Sequence, residues 1–169
     1  MAKTIRTASL NRDLRALLHV PQHDLQSQLT SRLEQLGFPA LRPAQLLLIG
    51  AINRGSTGGV RLSDLVAEVA LPKQTVGDLL DELEHMKMVE RFPDPEHGVI
   101  KRVRLGPKGK VWASEVRRVS AETEARWATR LGTKKMRSLR ALLEELAASV
   151  DAGGPRNAKL ANGKAAAKR

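Results

Sequence analysis

Residues 61–109 read RLSDLVAEVALPKQTVGDLLDELEHMKMVERFPDPEHGVIKRVRLGPKG, and the fold turns on how this stretch is parsed. Ser63 is placed to cap a short helix whose Leu65, Val66 and Val69 face inward. Pro72 stands where the first residue of a second helix belongs, because the amide that proline lacks has no helical acceptor there. That second helix carries Val76, Leu79, Leu80, Leu83 and Met86 on one face and Gln74, Asp78, Asp81 and His85 on the opposite one. From Met88 the period changes. MVERF, the turn-rich PDPEHG and then VIKRVRL, in which basic and apolar residues alternate, predict a β-hairpin. Two short helices followed by a hairpin is the order of a winged helix-turn-helix.

Working outward, the rest of the chain reads as helix. Leu10, Leu14, Leu17 and Leu18 form an apolar stripe that stops at Pro21, and Leu25, Leu29, Leu33 and Leu36 form a second that stops at Gly37, giving two helices or one broken one. After Pro39 and Pro43, the run Ala44 to Ile52 is apolar nearly all round, which predicts a short central helix buried on several sides. The NRGSTGG segment at 53–59 is a plain loop; no Gly-Lys-Ser/Thr follows to make it a phosphate cradle. Gly106-Pro107 opens a long helical segment through Arg130, and Gly132 interrupts it. The last helix sets Met136, Leu139, Leu143, Leu146 and Val150 at spacings of three and four, a seam of coiled-coil type that needs a partner. Apolar stripes at both ends of the sequence are most economically covered by a second copy, so Leu10, Leu14, Leu17, Leu18, Leu139, Leu143, Leu146 and Val150 are the candidate dimerisation residues.

Composition narrows the function. The 169 residues carry a formal charge of +11, which points to a polyanionic partner. Much of it lies at the ends: residues 1–20 hold +3, and residues 152–169 hold Arg156, Lys159, Lys164, Lys168 and Arg169 with no acid. Zero cysteines exclude disulfides, thiolate metal sites and thiol switches. The four aromatics, Phe38, Phe92, Trp112 and Trp127, are scattered, which argues against stacking on single-stranded bases. No run of about 20 apolar residues and no signal segment occurs, so a soluble cytoplasmic protein without a membrane partner is expected.

The residues from about 23 to 150 resemble the MarR family of dimeric transcription regulators. The likeness rests on LSDLV opening the first helix of the motif, KQTV at the head of the second, LE and VER flanking the passage into the wing, DP at the wing turn, and Pro-Lys-Gly leading into the next helix. It implies a mainly α fold with a small β-hairpin, a winged helix-turn-helix plus N- and C-terminal dimerisation helices. The expected organisation is a basic N-terminal segment with part of a dimerisation helix at 1–20, core helices at 21–60, the winged DNA-binding region at 61–106, long dimerisation helices at 107–150 and a disordered basic tail at 151–169. The recognition helix would be 73–86.

On that resemblance, Lys73, Gln74 and Thr75 enter the major groove with Asp78 one turn later, Ser63 joins them from the preceding helix, and Lys101, Arg102 and Arg104 hold phosphates from the wing. Three departures stand out. Residues 73–87 set Lys73 and Lys87 against Asp78, Asp81, Glu82 and Glu84, a net −2 that repels phosphate. The wing tip carries His97, Gly98 and Val99 where the family often has an arginine-rich group. Ala70 and Lys87 replace common glycines, and Gly106 a common threonine.

No catalytic signature is present, and Pro21 is expected to spoil the helical face that His19 and His23 would share for a metal. Trp112 and Trp127 are read as packing residues rather than effector contacts. The reading is therefore a cofactor-free, non-enzymatic, sequence-specific regulator of transcription. It would be a homodimeric repressor on a pseudo-palindromic duplex site, relieved by a small apolar or aromatic effector. The alternatives are a nucleoid-type binder with little sequence preference and a dimeric winged-helix interaction module that has lost DNA contact.

Overall fold

The computed structural model describes residues 13–55 and 58–153; Leu10 and most of the basic ends lie outside them. Asp13 opens the first helix by accepting the Ala16 amide on Oδ1 at 2.8 Å, and α1 then runs over Leu14–Gln35. It passes through Pro21 without stopping, against expectation. The cost is local, since only the Leu17 carbonyl loses its helical donor. Gly37, at φ +72°, ends the helix. Pro43–Arg54 forms α2, whose Leu48, Ile49, Ala51 and Ile52 are buried as the all-round apolar run predicts.

Helix α3 spans Leu62–Val69 and α4 Lys73–His85. Ser63 does not cap α3. Arg61 stands at the cap without a side-chain capping bond, and the exposed Ser63 hydroxyl donates to Asp64 Oδ1 at 3.2 Å. The reason is a short strand absent from the sequence reading. Val60–Arg61 forms β1 and feeds α3 directly from the sheet, so the helix starts before Ser63. Pro72 is likewise the cap residue of α4 rather than its first helical residue. The hairpin strands are β2, Val89–Pro93, and β3, Lys101–Leu105, and the antiparallel sheet runs β1-β3-β2 with Val60 opposite Val103 and Arg91 opposite Val103 on the other side.

One core joins α2, α3, α4 and the sheet through Leu48, Ile49, Leu65, Val76, Leu80, Leu83, Met88, Val89 and Val103. Ala70 and Lys87, which end α3 and follow α4, both adopt left-handed backbone at φ +54° and +60°. These are the two positions where the resemblance leads one to expect glycine. Gly109 is held by contact instead: a Cβ there would lie 1.9 Å from the Met88 carbonyl oxygen, so the first turn of α5 packs directly on the chain entering β2.

Helix α5 spans Pro107–Leu131 and α6 Thr133–Gly153, separated by Gly132 at φ +91°. The chain divides into two compact units between Ala121 and Glu122. Leu14, Leu17 and Leu18 on α1 and Leu139, Leu142, Leu143, Leu146 and Val150 on α6 are exposed. Among the described residues, no helix is long and apolar enough to cross a membrane.

Candidate nucleic-acid interface

The first turn of α4 presents Lys73, Gln74 and Thr75, all exposed, at a helix end whose amides lack carbonyl partners and carry the positive end of the dipole. Asp78 is exposed one turn later, and Gln74 Nε2 donates to its Oδ1 at 3.1 Å. That bond uses one amide hydrogen of Gln74. The other hydrogen and the amide oxygen remain for a two-point contact of the kind that reads adenine. Asp78 thus fixes the side chain beside it, in addition to being able to accept a hydrogen bond itself.

Three of the four acids behind the net −2 of this helix are ion-paired, which the sequence reading did not foresee. Glu82 is held by the Arg42 guanidinium and by Gln45 Nε2 at 2.9 Å, with Gln45 itself buried and its Oε1 accepting the Arg42 amide. Arg91 takes up the other two acids: Nη1 lies 2.5 Å from Asp81 and 3.5 Å from Glu84, Nη2 donates to the Gly77 carbonyl at 3.1 Å, and the Arg91 amide donates to Glu84 Oε1 at 3.0 Å. Asp78 is left as the acid of α4 without an ion pair among the described residues. The charge facing outward at the start of the helix is therefore close to balanced.

The wing treats its three basic candidates differently. Lys101 is exposed, and with Asp81, Arg91, Phe92 and Gly77 it lines a groove of about 430 Å³ between α4 and the hairpin. Arg104 pairs with Glu90 and lies over the Phe92 ring at 4.6 Å. Arg102 is turned inward. Its Nε donates to Asp94 at 2.7 Å, and Nη1 donates to the Gly58 and Gly59 carbonyls at 3.1 and 3.2 Å. A guanidinium so engaged braces the wing.

Asp94, whose side chain is fully buried, also accepts the Glu96 and His97 amides and lies 3.4 Å from Arg61. The Arg102 hydrogen bond, followed by the Glu96 amide, holds this carboxyl well below the usual carboxylate range, against burial that pushes it up. Val99, at the turn this network shapes, is 95% exposed. Of the residues that do this positioning, Asp94 had a signal in the DP turn and Arg91 in VER. Arg42 and Gln45 had none, being separated from Glu82 by 40 and 37 residues.

Behind the interface, a cavity of about 280 Å³ lies between α1, the 38–41 segment, α2 and α5. Leu29, Leu33, Phe38, Leu41, Trp112 and Val116 give it apolar walls, and Glu34 stands on its edge. Trp112 both packs against the core and lines this cavity, so the packing assignment covers half of what it does. Glu115, near that wall, accepts from Arg118 at 2.7 Å and from Arg32 of α1 at 2.9 Å, and those two bonds lower its carboxyl from 4.5 to about 2. Among the described residues, no three histidine, aspartate or glutamate side chains converge as metal ligands.

No family model and no curated protein matches the chain. Solved structures do. Staphylococcus aureus MepR bound to ethidium bromide superposes with a TM-score of 0.62 at 20% identity, covering 82% of this chain and 96% of that one. The S. aureus MepR–DNA complex gives 0.58 at 19% identity, covering 82% and 99%. YusO of Bacillus subtilis gives 0.59 at 19% identity, covering 82% and 94%. In architecture, from the two-helix motif and its braced wing to the long helices at either end, the chain has the winged-helix fold of the MarR-type regulators.

Proposed function

We propose that the protein is a regulator of transcription that binds duplex DNA as a homodimer, with α4 in the major groove and the wing against the backbone. The observation that carries this reading is the first turn of α4: Lys73, Gln74 and Thr75 stand exposed while Arg42 and Arg91 take up the acids behind them. The MepR–DNA complex supports it by analogy of fold. The exposed leucines of α1 and α6 support the dimer, since an apolar seam on both terminal helices is satisfied by a second copy. Two recognition helices held in that way read half-sites about one helical turn apart.

Within this reading the protein is a repressor, and the cavity beside Trp112 takes a small apolar or aromatic effector. MepR, with the same fold, has been seen with ethidium bound. A ligand favouring by 100-fold a spacing of the two motifs that does not fit DNA weakens operator binding by up to about 2.7 kcal/mol. The test is a salt series on the protein's own upstream duplex and a scrambled duplex. Specific regulation gives a large ratio of affinities that survives near-physiological salt. A ratio near one with steep salt loss identifies a nucleoid-type binder, and weak binding to both identifies an interaction module without DNA contact.

A further inference from the structure

Because α1 crosses Pro21 unbroken, it brings two imidazoles together. His19 and His23 are both exposed, their ring centroids 5.9 Å apart and their planes inclined at 54°. At 100° per residue they share the side of α1 away from the Leu14, Leu17 and Leu18 stripe, so a ligand there does not compete with a partner on the leucines. Histidines four apart on a helix can direct one ring nitrogen each at a single metal ion. Metal–nitrogen bonds of about 2.0–2.1 Å require the rings to close by about 1 Å, which exposed side chains reach by rotation. No hydrogen bond or ion pair among the described residues takes up either ring. The charged neighbour that works against a cation is Arg15, one turn before His19.

The pair also straddles the weakest turn of the helix. Pro21 donates no amide hydrogen, so the turn from Leu17 to Pro21 is one bond short. We propose that His19 and His23 form a two-nitrogen site for a late first-row divalent metal, with water completing the coordination, and that the bound ion staples α1 across Pro21. Copper(II) binds tightest, with nickel(II) and zinc(II) weaker, following the general order for imidazole donors. Binding a metal that only the helical form chelates stabilises that form, and with it the segment carrying Leu14, Leu17 and Leu18. The site stands whether or not the protein binds DNA.

The experiment titrates the tag-free full chain with copper(II), following the visible absorption of the ion, helicity and the melting temperature. One ion per chain, a rise in melting temperature, and a loss of affinity of about 10-fold or more in each of H19Q and H23Q are expected. H85Q/H97Q keeps full affinity, and P21A binds copper(II) but gains less stability from it. An H19Q/H23Q double variant that binds copper(II) as tightly as the parent overturns the site. Binding to the parent with no rise in melting temperature overturns the staple.

Discussion

The winged unit and the terminal helices solve the burial problem in opposite ways. In the unit built from α2, α3, α4 and the sheet, Leu48, Ile49, Leu65, Leu80, Leu83 and Val103 are fully buried, and three of the four acids of α4, as well as Asp94 of the wing, are paired with arginines. Helix α1 buries no residue, and on α6 Leu139, Leu142, Leu143, Leu146 and Val150 all remain exposed. A leucine seam left open costs about 25 cal/mol for each Å² of apolar surface that water keeps. The difference teaches that the winged unit closes its own core within one chain, whereas the terminal helices leave apolar seams open, the seams that the proposed second copy would cover.

The sharpest way to break this contrast is L143E. A carboxylate in the α6 seam changes little in a single chain, where Leu143 already meets solvent, but is intolerable inside a dimer interface. Sedimentation should then show single chains with near-native helicity, and binding to the specific duplex should fall about 100-fold or more as the two motifs lose their connection. A dimer that survives L143E places the interface elsewhere.

Next in size is G109A, aimed at the complete unit. The new methyl meets the Met88 carbonyl oxygen at 1.9 Å, and backbone has to move, so denaturant unfolding should show a loss of about 2–3 kcal/mol. Q74A tests the interface itself. Affinity for duplexes varied one base pair at a time should flatten at a single position in each half-site by about 1–3 kcal/mol, and D78A should blunt the same position less, because it frees Gln74 without removing it. If D78A instead flattens a different position, Asp78 reads a base in its own right.

How much of this was legible in the sequence depends on distance along the chain. Periodicity located α2 and α4, the hairpin and the break at Gly132, because those signals lie within a few residues of one another. Strand β1 escaped because two residues cannot show alternation. Pro21 was misread as a stop: a proline in the third turn of a 22-residue helix removes one bond, and the remaining turns carry the helix across. The pairing of the acids of α4 was not legible because net charge adds residues regardless of their partners in the fold, and Arg42 meets Glu82 only after the chain has closed a 40-residue loop. The inward bonds of Arg102 were not legible because Asp94, which holds it, is buried only once the wing turn has folded.

Smaller effects sharpen the contrast further. Ala70 and Lys87 hold left-handed backbone at a cost that glycine escapes, so A70G and K87G should each raise the stability of the winged unit by about 0.5–1 kcal/mol in chemical denaturation. The smallest effect concerns acid. Glu115 is shifted down from 4.5 to about 2, so it favours the folded state above its unfolded value, and that contribution disappears as pH falls through the folded value. Melting temperature against pH should thus decline between about pH 5 and 2, and E115Q should flatten part of that decline. An unchanged slope in E115Q would show that the Arg32 and Arg118 bonds do not persist in solution.

The most direct measurement is sedimentation equilibrium of the full chain at micromolar concentration, alone and with its own upstream duplex. The account predicts twice the mass of one chain for the protein alone and, with the duplex, a complex of two chains plus one duplex. A single-chain mass that persists when the duplex is present would contradict it.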